Sequence, residues 1–205
     1  MQWTDLDPDD RLTYLIGDIV RSDVFLEGES GDVFATIAAA SVSPKNKPNN
    51  LSRLIKDGKL MLRELTLDGY AREMARRAFI DACAAHFARN SPVHDRWMHQ
   101  GGMGERWVSM NMLTTRVPEV SATPKNLEQF LACRDNLLWN GWRMRGVSLI
   151  LPGWLDRPSF GDEIDDDGRR WWTAVAVGKF KVTPGPGLTD VQVDDSIQLP
   201  PRWLS

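Results

Sequence analysis

Cysteine is scarce in this sequence of 205 residues, which contains only Cys83 and Cys133. Two cysteines so far apart cannot provide a disulfide framework or a cysteine-rich zinc site. Long apolar runs are absent as well: the run at residues 147–151, for example, is short and contains a serine. We therefore expect no membrane partner. The acidic N-terminus lacks the basic and apolar segments of a signal peptide. These absences predict a cytoplasmic protein, with the virion as an alternative location.

Established catalytic and cofactor motifs are missing too. No serine occurs in the G-x-S-x-G or S-x-x-K pattern. The glycines of residues 101–104 follow a predicted helix, whereas phosphate-binding loops precede one. The acidic run at residues 162–168 has Ala174 where a calcium-binding EF-hand loop needs a bidentate glutamate, so a hairpin turn is the simpler interpretation. The sequence predicts no cofactor and no metal, and it favours a protein that is not an enzyme.

Charge is unevenly distributed although the net charge is only −3. Residues 1–50 carry 4 Lys+Arg against 9 Asp+Glu, and residues 161–205 carry 5 against 8. The middle of the chain is mildly basic. A field over the whole protein that attracts nucleic acid is therefore not expected, but the charge distribution is compatible with a local basic face.

Local patterns predict mainly helices before residue 141. Asp7 and Pro8 begin the first helix, and the apolar stripe of residues 67–87 repeats at helical spacing and predicts the central helix. Further helices are predicted at residues 32–40, 51–58, 91–101 and 124–141. Strands are predicted at residues 106–115, 142–151, 171–182, 191–193 and 197–199.

The order of these elements predicts an α+β fold, because helices and strands do not alternate regularly. We expect one domain over residues 1–205, in which a helical N-terminal two thirds packs on a small, mainly antiparallel β-sheet formed by the C-terminal third. Residues 1–140 are then the mainly helical part and residues 141–205 the β-rich part. An extended C-terminal arm, 198–205, completes the domain.

Tryptophan is abundant, with nine residues against two tyrosines, and in the C-terminal third it is interleaved with arginine. Both residue types are enriched at the energetic centres of protein interfaces. On a strand, Arg143 and Arg145 would project from the same face. The alternative is that the tryptophans fill the core and the arginines are solvated. The candidate interface residues are Trp142, Arg143, Arg145, Trp154, Arg157, Trp171, Trp203 and Leu204.

The last two of these residues belong to the C-terminal arm. Pro200 and Pro201 prevent the arm from forming a helix interior or a central strand. Large apolar side chains such as Trp203 and Leu204 are unfavourable in water, so the arm is expected to dock. Either the arm folds back onto this domain or it docks onto a neighbouring subunit, and both interpretations stay open.

A nucleic-acid interface is the alternative use of the arginines. Arg72, Arg76 and Arg77 of the predicted central helix would contact phosphates together with Arg143 and Arg145, while exposed tryptophans stack on bases. The competing interpretation is a solvated helix face, on which Glu73 pairs with the neighbouring arginines.

Histidine offers the remaining chemical hypothesis. His86 lies on the apolar stripe and is interpreted as a core histidine. His94 and His99 fall on different faces of a helix and form no metal-binding pattern. General acid–base chemistry by His94 or His99, with Asp95 or Glu105 as a partner, would define an enzyme or toxin.

These observations favour a non-enzymatic structural or interaction subunit of a larger macromolecular assembly, for example a virion connector or neck component. Its partners would be other protein subunits in a homo- or hetero-oligomer. A nucleic-acid-binding subunit of a ribonucleoprotein complex is the alternative. An enzyme or toxin with a site centred on His94 and His99 is the third hypothesis.

Overall fold

A computed structural model describes residues 5–99, 106–111, 119–120, 125–155, 165–183 and 190–193. The helices in these ranges are α1 (Pro8–Ala40), α2 (Leu51–Glu64), α3 (Gly69–Ala88), α4 (Asn90–His94), α5 (Leu127–Trp154) and α6 (Asp166–Val177). The strands are β1 (Arg96–His99), β2 (Arg106–Asn111), β3 (Glu119–Val120), β4 (Lys125–Asn126), β5 (Phe180–Thr183) and β6 (Asp190–Val193).

Helix α1 begins as predicted, because Pro8 occupies its first turn and the Asp7 side chain accepts hydrogen bonds from two backbone N–H groups. The separate helix predicted at residues 32–40 is wrong, since α1 continues without a break for 33 residues. A buried stripe extends along the whole of α1, so tertiary packing stabilises the helix past its glycines.

Helices α2 and α3 pack closely at a glycine. Gly58 was predicted to end the first of these helices, but α2 continues beyond it. A Cβ atom at Gly58 would stand 2.9 Å from the Phe79 ring, so glycine here permits the close approach of α2 to α3. Helix α3 corresponds to the predicted central helix and is capped by Asp68.

Helix α5 shows that the strand predicted at residues 142–151 is wrong. A capping box begins the helix, in which the side chains of Asn126 and Gln129 each bind the backbone N–H of the other residue. The helix passes through Gly141, where an end was predicted. A Cβ atom at Gly146 would lie 2.7 Å from the backbone nitrogen of Ala176, so this glycine serves close packing against α6.

Helix α6 replaces the first part of the strand predicted at residues 171–182. Asp165 caps it by accepting a hydrogen bond from the backbone N–H of Gly168, so the described part of the acidic run, residues 165–168, forms a helix start and not a hairpin turn. Gly178 ends α6 in the left-handed conformation with φ 82°. Only the end of the predicted strand, from Phe180 onward, is a strand.

Both sheets are small and antiparallel, which confirms the α+β class. Strand β2 pairs with β1, β3 and β4, and β5 pairs with β6. The strands predicted at residues 106–115 and 191–193 correspond to β2 and β6. The described residues of the 141–205 part contain more helix than strand, contrary to the expected β-rich part. The strand predicted at 197–199 and the arm at 198–205 lie outside the described residues.

Helices α1, α3 and α5 form the central layer. Contacts between α1 and α5 progress in the same direction along both, from Asp18 near Arg134 at 4.0 Å to Glu29 near Arg145 at 3.9 Å. The two helices are therefore parallel. None of the described helices is long and apolar enough to cross a membrane.

Helix α3 runs against the direction of α1. Its last turn contacts Asp23 through His86, whereas its middle residue Phe79 lies beside Gly58, as does Phe34, which is farther along α1. The C-terminal end of α3 and the short α4 are thus brought beside the first half of α1. The candidate site lies there.

Candidate functional site

A buried aspartate of α1 organises a polar cluster at this end of the helical layer. Asp23 is only 6% exposed and lies on the face that α1 buries. Its Oδ1 atom is 2.8 Å from Nδ1 of His86, and its Oδ2 atom accepts a hydrogen bond of 2.9 Å from Nε of Arg89. Both carboxylate oxygens are engaged, as a buried charge requires.

Arg89 connects this carboxylate to a second histidine. Its Nη1 atom donates a hydrogen bond of 2.8 Å to Nε2 of His94. Because arginine keeps its protons, Nε2 is the accepting nitrogen of His94 and the ring proton lies on Nδ1 in this arrangement. Asp23 fixes the guanidinium through Nε, so the group is held in one orientation beside the imidazole.

The junction of α3 and α4 sets the spacing of Arg89 and His94. Arg89 is the last residue before α4 and keeps a helical backbone, with φ −76° and ψ −14°. Helix α4 then holds His94 about one turn farther along the chain, and the Asp95 N–H closes the helix by donating to the carbonyl oxygen of Ser91. A short, capped turn therefore keeps the guanidinium and the imidazole within hydrogen-bond distance.

A second polar group adjoins the same turn. Ser91 Oγ donates a hydrogen bond of 2.6 Å to Asp95 and accepts one of 3.1 Å from Nζ of Lys125. The Lys125 ammonium also lies 5.2 Å from the centroid of the Trp97 ring. Strand β4 brings Lys125 into this position. It pairs with β2, the strand that also pairs with β1.

Cys133 is the residue of α5 whose thiol is influenced by the charges of the cluster. Burial raises the pKa of Cys133, the positive charge of Lys125 opposes the rise, Asp23 adds to it, and Arg89 again lowers it. The charges of both sides of the site therefore reach this thiol. Burial keeps it protonated, so Cys133 is no activated nucleophile.

The structure brings together only part of the histidine hypothesis. His94 and Asp95 lie in the cluster, whereas only the backbone of His99 is described, in β1. Glu105 lies outside the described residues. His86 is mostly buried, as a core histidine would be, but its ring pairs with a carboxylate.

Three charged residues of the cluster were missed by the sequence analysis. Asp23, Arg89 and Lys125 belong to no recognised motif. Asp23 does carry a signal, because it stands between Ile19 and Leu26 on the apolar stripe of α1, where a charge requires a buried partner. The identity of that partner depends on how α3 packs.

Arg143 and Arg145 do not project from the same face, because they lie on a helix. Arg143 is 5% exposed, pairs with Asp81 and donates a hydrogen bond of 3.1 Å to the carbonyl oxygen of Ala176. Arg145 is exposed and lies over the Trp142 ring at 5.5 Å. Of this pair, only Arg145 is available to a partner.

The candidate tryptophans are also divided. Trp154 is 4% exposed and belongs to the core. Trp142 and Trp171 are partly exposed and both contact Trp172, with ring centroids 6.4 Å and 4.5 Å away. Arg157, Trp203 and Leu204 lie outside the described residues. Interface use of the partly exposed side chains stays a prediction.

The arginines of α3 have partners within the chain. Nη2 of Arg72 donates to the carbonyl oxygens of Leu65 and Leu67 and so fastens the link between α2 and α3. Hydrogen bonds from Arg76 and Arg77 lower the pKa of Glu73 to about 2. This geometry suits a solvated helix face with ion pairs, and phosphate contact by these residues stays a prediction.

Within the described ranges, no group of three or more His, Cys, Asp or Glu side chains is arranged to hold a metal ion. Comparison with known proteins gives no match: no protein-family model, no curated protein and no solved structure matches this chain. The functional assignment therefore depends on the chemistry of the cluster itself.

The cluster combines the groups needed to bind an anion and to move a proton. Arg89 supplies a fixed guanidinium with N–H groups beyond those bound to Asp23 and His94. His94 supplies an imidazole whose accepting nitrogen faces that guanidinium. An anionic substrate held by Arg89 would lie beside this nitrogen.

Proposed function

We propose that this protein is a ribonuclease that cleaves RNA by general acid–base catalysis at His94, with Arg89 binding the reacting phosphate. The observation that carries the proposal is the hydrogen bond of 2.8 Å between Nη1 of Arg89 and Nε2 of His94, on a guanidinium anchored by Asp23. The proposal unites the nucleic-acid hypothesis with the enzyme or toxin hypothesis drawn from the sequence.

RNA suits this site because it carries its own nucleophile. The 2′ hydroxyl lies next to the phosphorus that it attacks, so the protein has to supply a base for the hydroxyl proton and positive charge for the phosphate. His94 and Arg89 are a base and a cation in direct contact. A planar guanidinium binds two phosphate oxygens at once and is therefore well suited to hold the reacting group.

In the proposed reaction, the phosphate takes N–H groups of Arg89 and releases Nε2 of His94 from its hydrogen bond. Nε2 then accepts the proton of the 2′ hydroxyl as its oxygen forms a bond to phosphorus. The bond from phosphorus to the 5′ oxygen breaks, and that oxygen takes up the proton that His94 had accepted, which returns His94 to its neutral form. The products are a 2′,3′-cyclic phosphate and a free 5′ hydroxyl, and no water is consumed.

Asp23 and His86 act as positioning residues in this scheme. Asp23 holds Arg89 through Nε and leaves the outer N–H groups of the guanidinium for the phosphate and His94. His86 occupies the other carboxylate oxygen of Asp23, which satisfies the buried charge. Neither residue is required to touch the substrate.

The test is cleavage of a fluorescent single-stranded RNA by the purified full chain, with a DNA of the same sequence as a control. We expect RNA alone to be cut and the products to carry 2′,3′-cyclic phosphate ends. His94→Gln keeps an oxygen that accepts a hydrogen bond from Arg89 but cannot take up the proton. It should lower kcat by about 100-fold or more.

Arg53→Ala serves as the matched control for loss of an arginine, because Arg53 is largely exposed on α2. It should cleave like the wild type. Cutting of DNA and RNA at equal rates would contradict the role of the 2′ hydroxyl, and full activity of His94→Gln would contradict the site.

An assembly subunit, as favoured by the sequence, is the second candidate. A separate observation supports it: several large apolar side chains of α1 and α3 are exposed, among them Val20, Val24, Ile80 and Phe87. Light scattering over a range of concentrations tests this role, since Val24→Lys and Phe87→Lys should weaken an oligomer that uses this surface. A monomer at every concentration would contradict self-association.

A further inference from the structure

Lys125 is a cation of the site that the mechanism above does not use. Its Nζ atom donates a hydrogen bond of 3.1 Å to Ser91 Oγ and lies 5.2 Å from the centroid of the Trp97 ring. No carboxylate among the described residues forms an ion pair with it within 4.0 Å. An ammonium group has three N–H donors, so capacity remains for an anionic ligand.

The residues around Lys125 fix the position of its ammonium group and of its remaining N–H donors. Ser91 Oγ cannot turn its proton toward Lys125, because it donates that proton to Asp95 at 2.6 Å and so presents a lone pair. The Trp97 ring is itself held, since its Nε1 donates to the carbonyl oxygen of Pro92 and its edge packs on Phe130 with centroids 4.9 Å apart. The ammonium is thus positioned by rigid groups.

Lys125 is also close to the proposed reaction centre. Its partner Ser91 lies two residues after Arg89, and two residues of chain span at most about 7 Å. The positive charges of Lys125 and Arg89 both act on the Cys133 thiol. Two cations therefore lie at the short helix α4, one beside His94 and the other beside Ser91.

We infer that Lys125 binds the phosphate next to the one that Arg89 holds, so that the substrate is a single RNA strand with at least two consecutive phosphates. This inference rests on the proposed function and adds a binding position to it. It assigns Lys125 to substrate binding and leaves proton transfer to His94.

The number of phosphates in the substrate separates these roles. A dinucleoside monophosphate has one phosphate and cannot reach Lys125 and Arg89 together, whereas a trinucleoside diphosphate can. We expect Lys125→Ala to lower kcat/KM for the trinucleoside by about 10-fold and to leave the dinucleoside rate unchanged. Lys125→Arg should restore most of the loss. Lys56→Ala, at an exposed position of α2, is the matched control.

Binding gives a second measurement that does not depend on turnover. Fluorescence anisotropy with a 2′-O-methyl oligonucleotide should show a salt dependence whose slope falls by about 0.7 in Lys125→Ala, the value for one phosphate contact on a single strand. If Lys125→Ala unfolds, Lys125→Gln replaces it, because its amide still donates to Ser91.

The outcomes are distinguishable. Equal losses on both substrates, or no loss on either one with an unchanged salt slope, would overturn the role of Lys125 and leave the ribonuclease proposal standing. A wild-type protein that neither cleaves nor binds RNA would overturn both.

Discussion

Arg89 and Arg143 each pair with an aspartate on another helix, but the two guanidinium groups differ in their other partners. Arg143 is buried among structural partners, since its side chain is 6% exposed, binds the Ala176 carbonyl oxygen and lies 5.5 Å from the Trp139 ring centroid. The Arg89 side chain is 19% exposed and donates its other hydrogen bond to Nε2 of His94. The proposed function needs Arg89 to exchange its histidine partner for a phosphate, whereas Arg143 is held by a backbone carbonyl group and an aromatic ring.

The charge that is buried also differs between the two pairs. Asp23 is 9% exposed in its side chain, whereas Asp81 is 47% exposed. Loss of Arg89 therefore strands a buried carboxylate. Loss of Arg143 leaves Asp81 in water and strands only a backbone carbonyl group. In the first pair the aspartate is the more buried partner, and in the second pair it is the arginine.

The largest effect is expected from substitution of the two arginines. Under the proposed function, Arg89→Met should lower the rate of RNA cleavage by about 100-fold or more. It should also lower the free energy of unfolding by about 3 kcal/mol, because Asp23 loses a partner. Arg143→Met should cost about 2 kcal/mol through the unsatisfied Ala176 carbonyl group and leave the activity per folded molecule unchanged. Urea unfolding and the cleavage assay measure both. Equal activity losses would break the comparison.

A glycine pair tests the packing around Arg143. Gly146→Ala should lower the free energy of unfolding by about 1–3 kcal/mol, because the new Cβ meets the backbone of α6 2.7 Å away, which cannot move aside as a side chain can. Gly28→Ala is the control, since nothing lies within 4 Å of a Cβ there. It should stabilise α1 by up to about 1 kcal/mol. Thermal unfolding compares the two, and destabilisation of equal size would contradict the close contact.

The smallest effect concerns Glu29, a buried acid whose partner is more distant. Burial raises the pKa of Glu29, and Arg145 at 3.9 Å opposes the rise. The folded state therefore binds this proton more tightly than the unfolded chain, so Glu29 reduces stability as the pH rises above the usual glutamate range. Glu29→Gln should be more stable than the wild type at neutral pH and equal to it near about pH 4. A difference that grows on acidification would contradict this sign.

The class of the fold and the helix starts could be predicted from the sequence, because capping residues and apolar stripes act locally. Asp7 and Asn50 begin helices where expected. Residues 142–151 could not be assigned in the same way. Their apolar run suits a buried helix as well as a strand, and the decisive fact is the contact of Gly146 with α6, which no local pattern encodes.

The candidate site was predictable only in part for a related reason. His94 and Asp95 were named because histidine chemistry is visible in a sequence. Asp23 and Arg89 are ordinary charged residues until α1 and α3 pack in opposite directions. Lys125 needs, in addition, the pairing of β4 with β2. Long-range contacts, which sequence periodicity does not report, create the arrangement.

The separation of Asp23 from its partners has a consequence for the chain during synthesis. His86 and Arg89 lie 63 and 66 residues after Asp23, and Lys125 lies farther still. A growing chain therefore holds an incomplete site until α3, α4 and β4 have all emerged and the intervening loop has closed at its entropic cost. If the site cuts RNA, the activity begins only after these elements have left the ribosome and packed together.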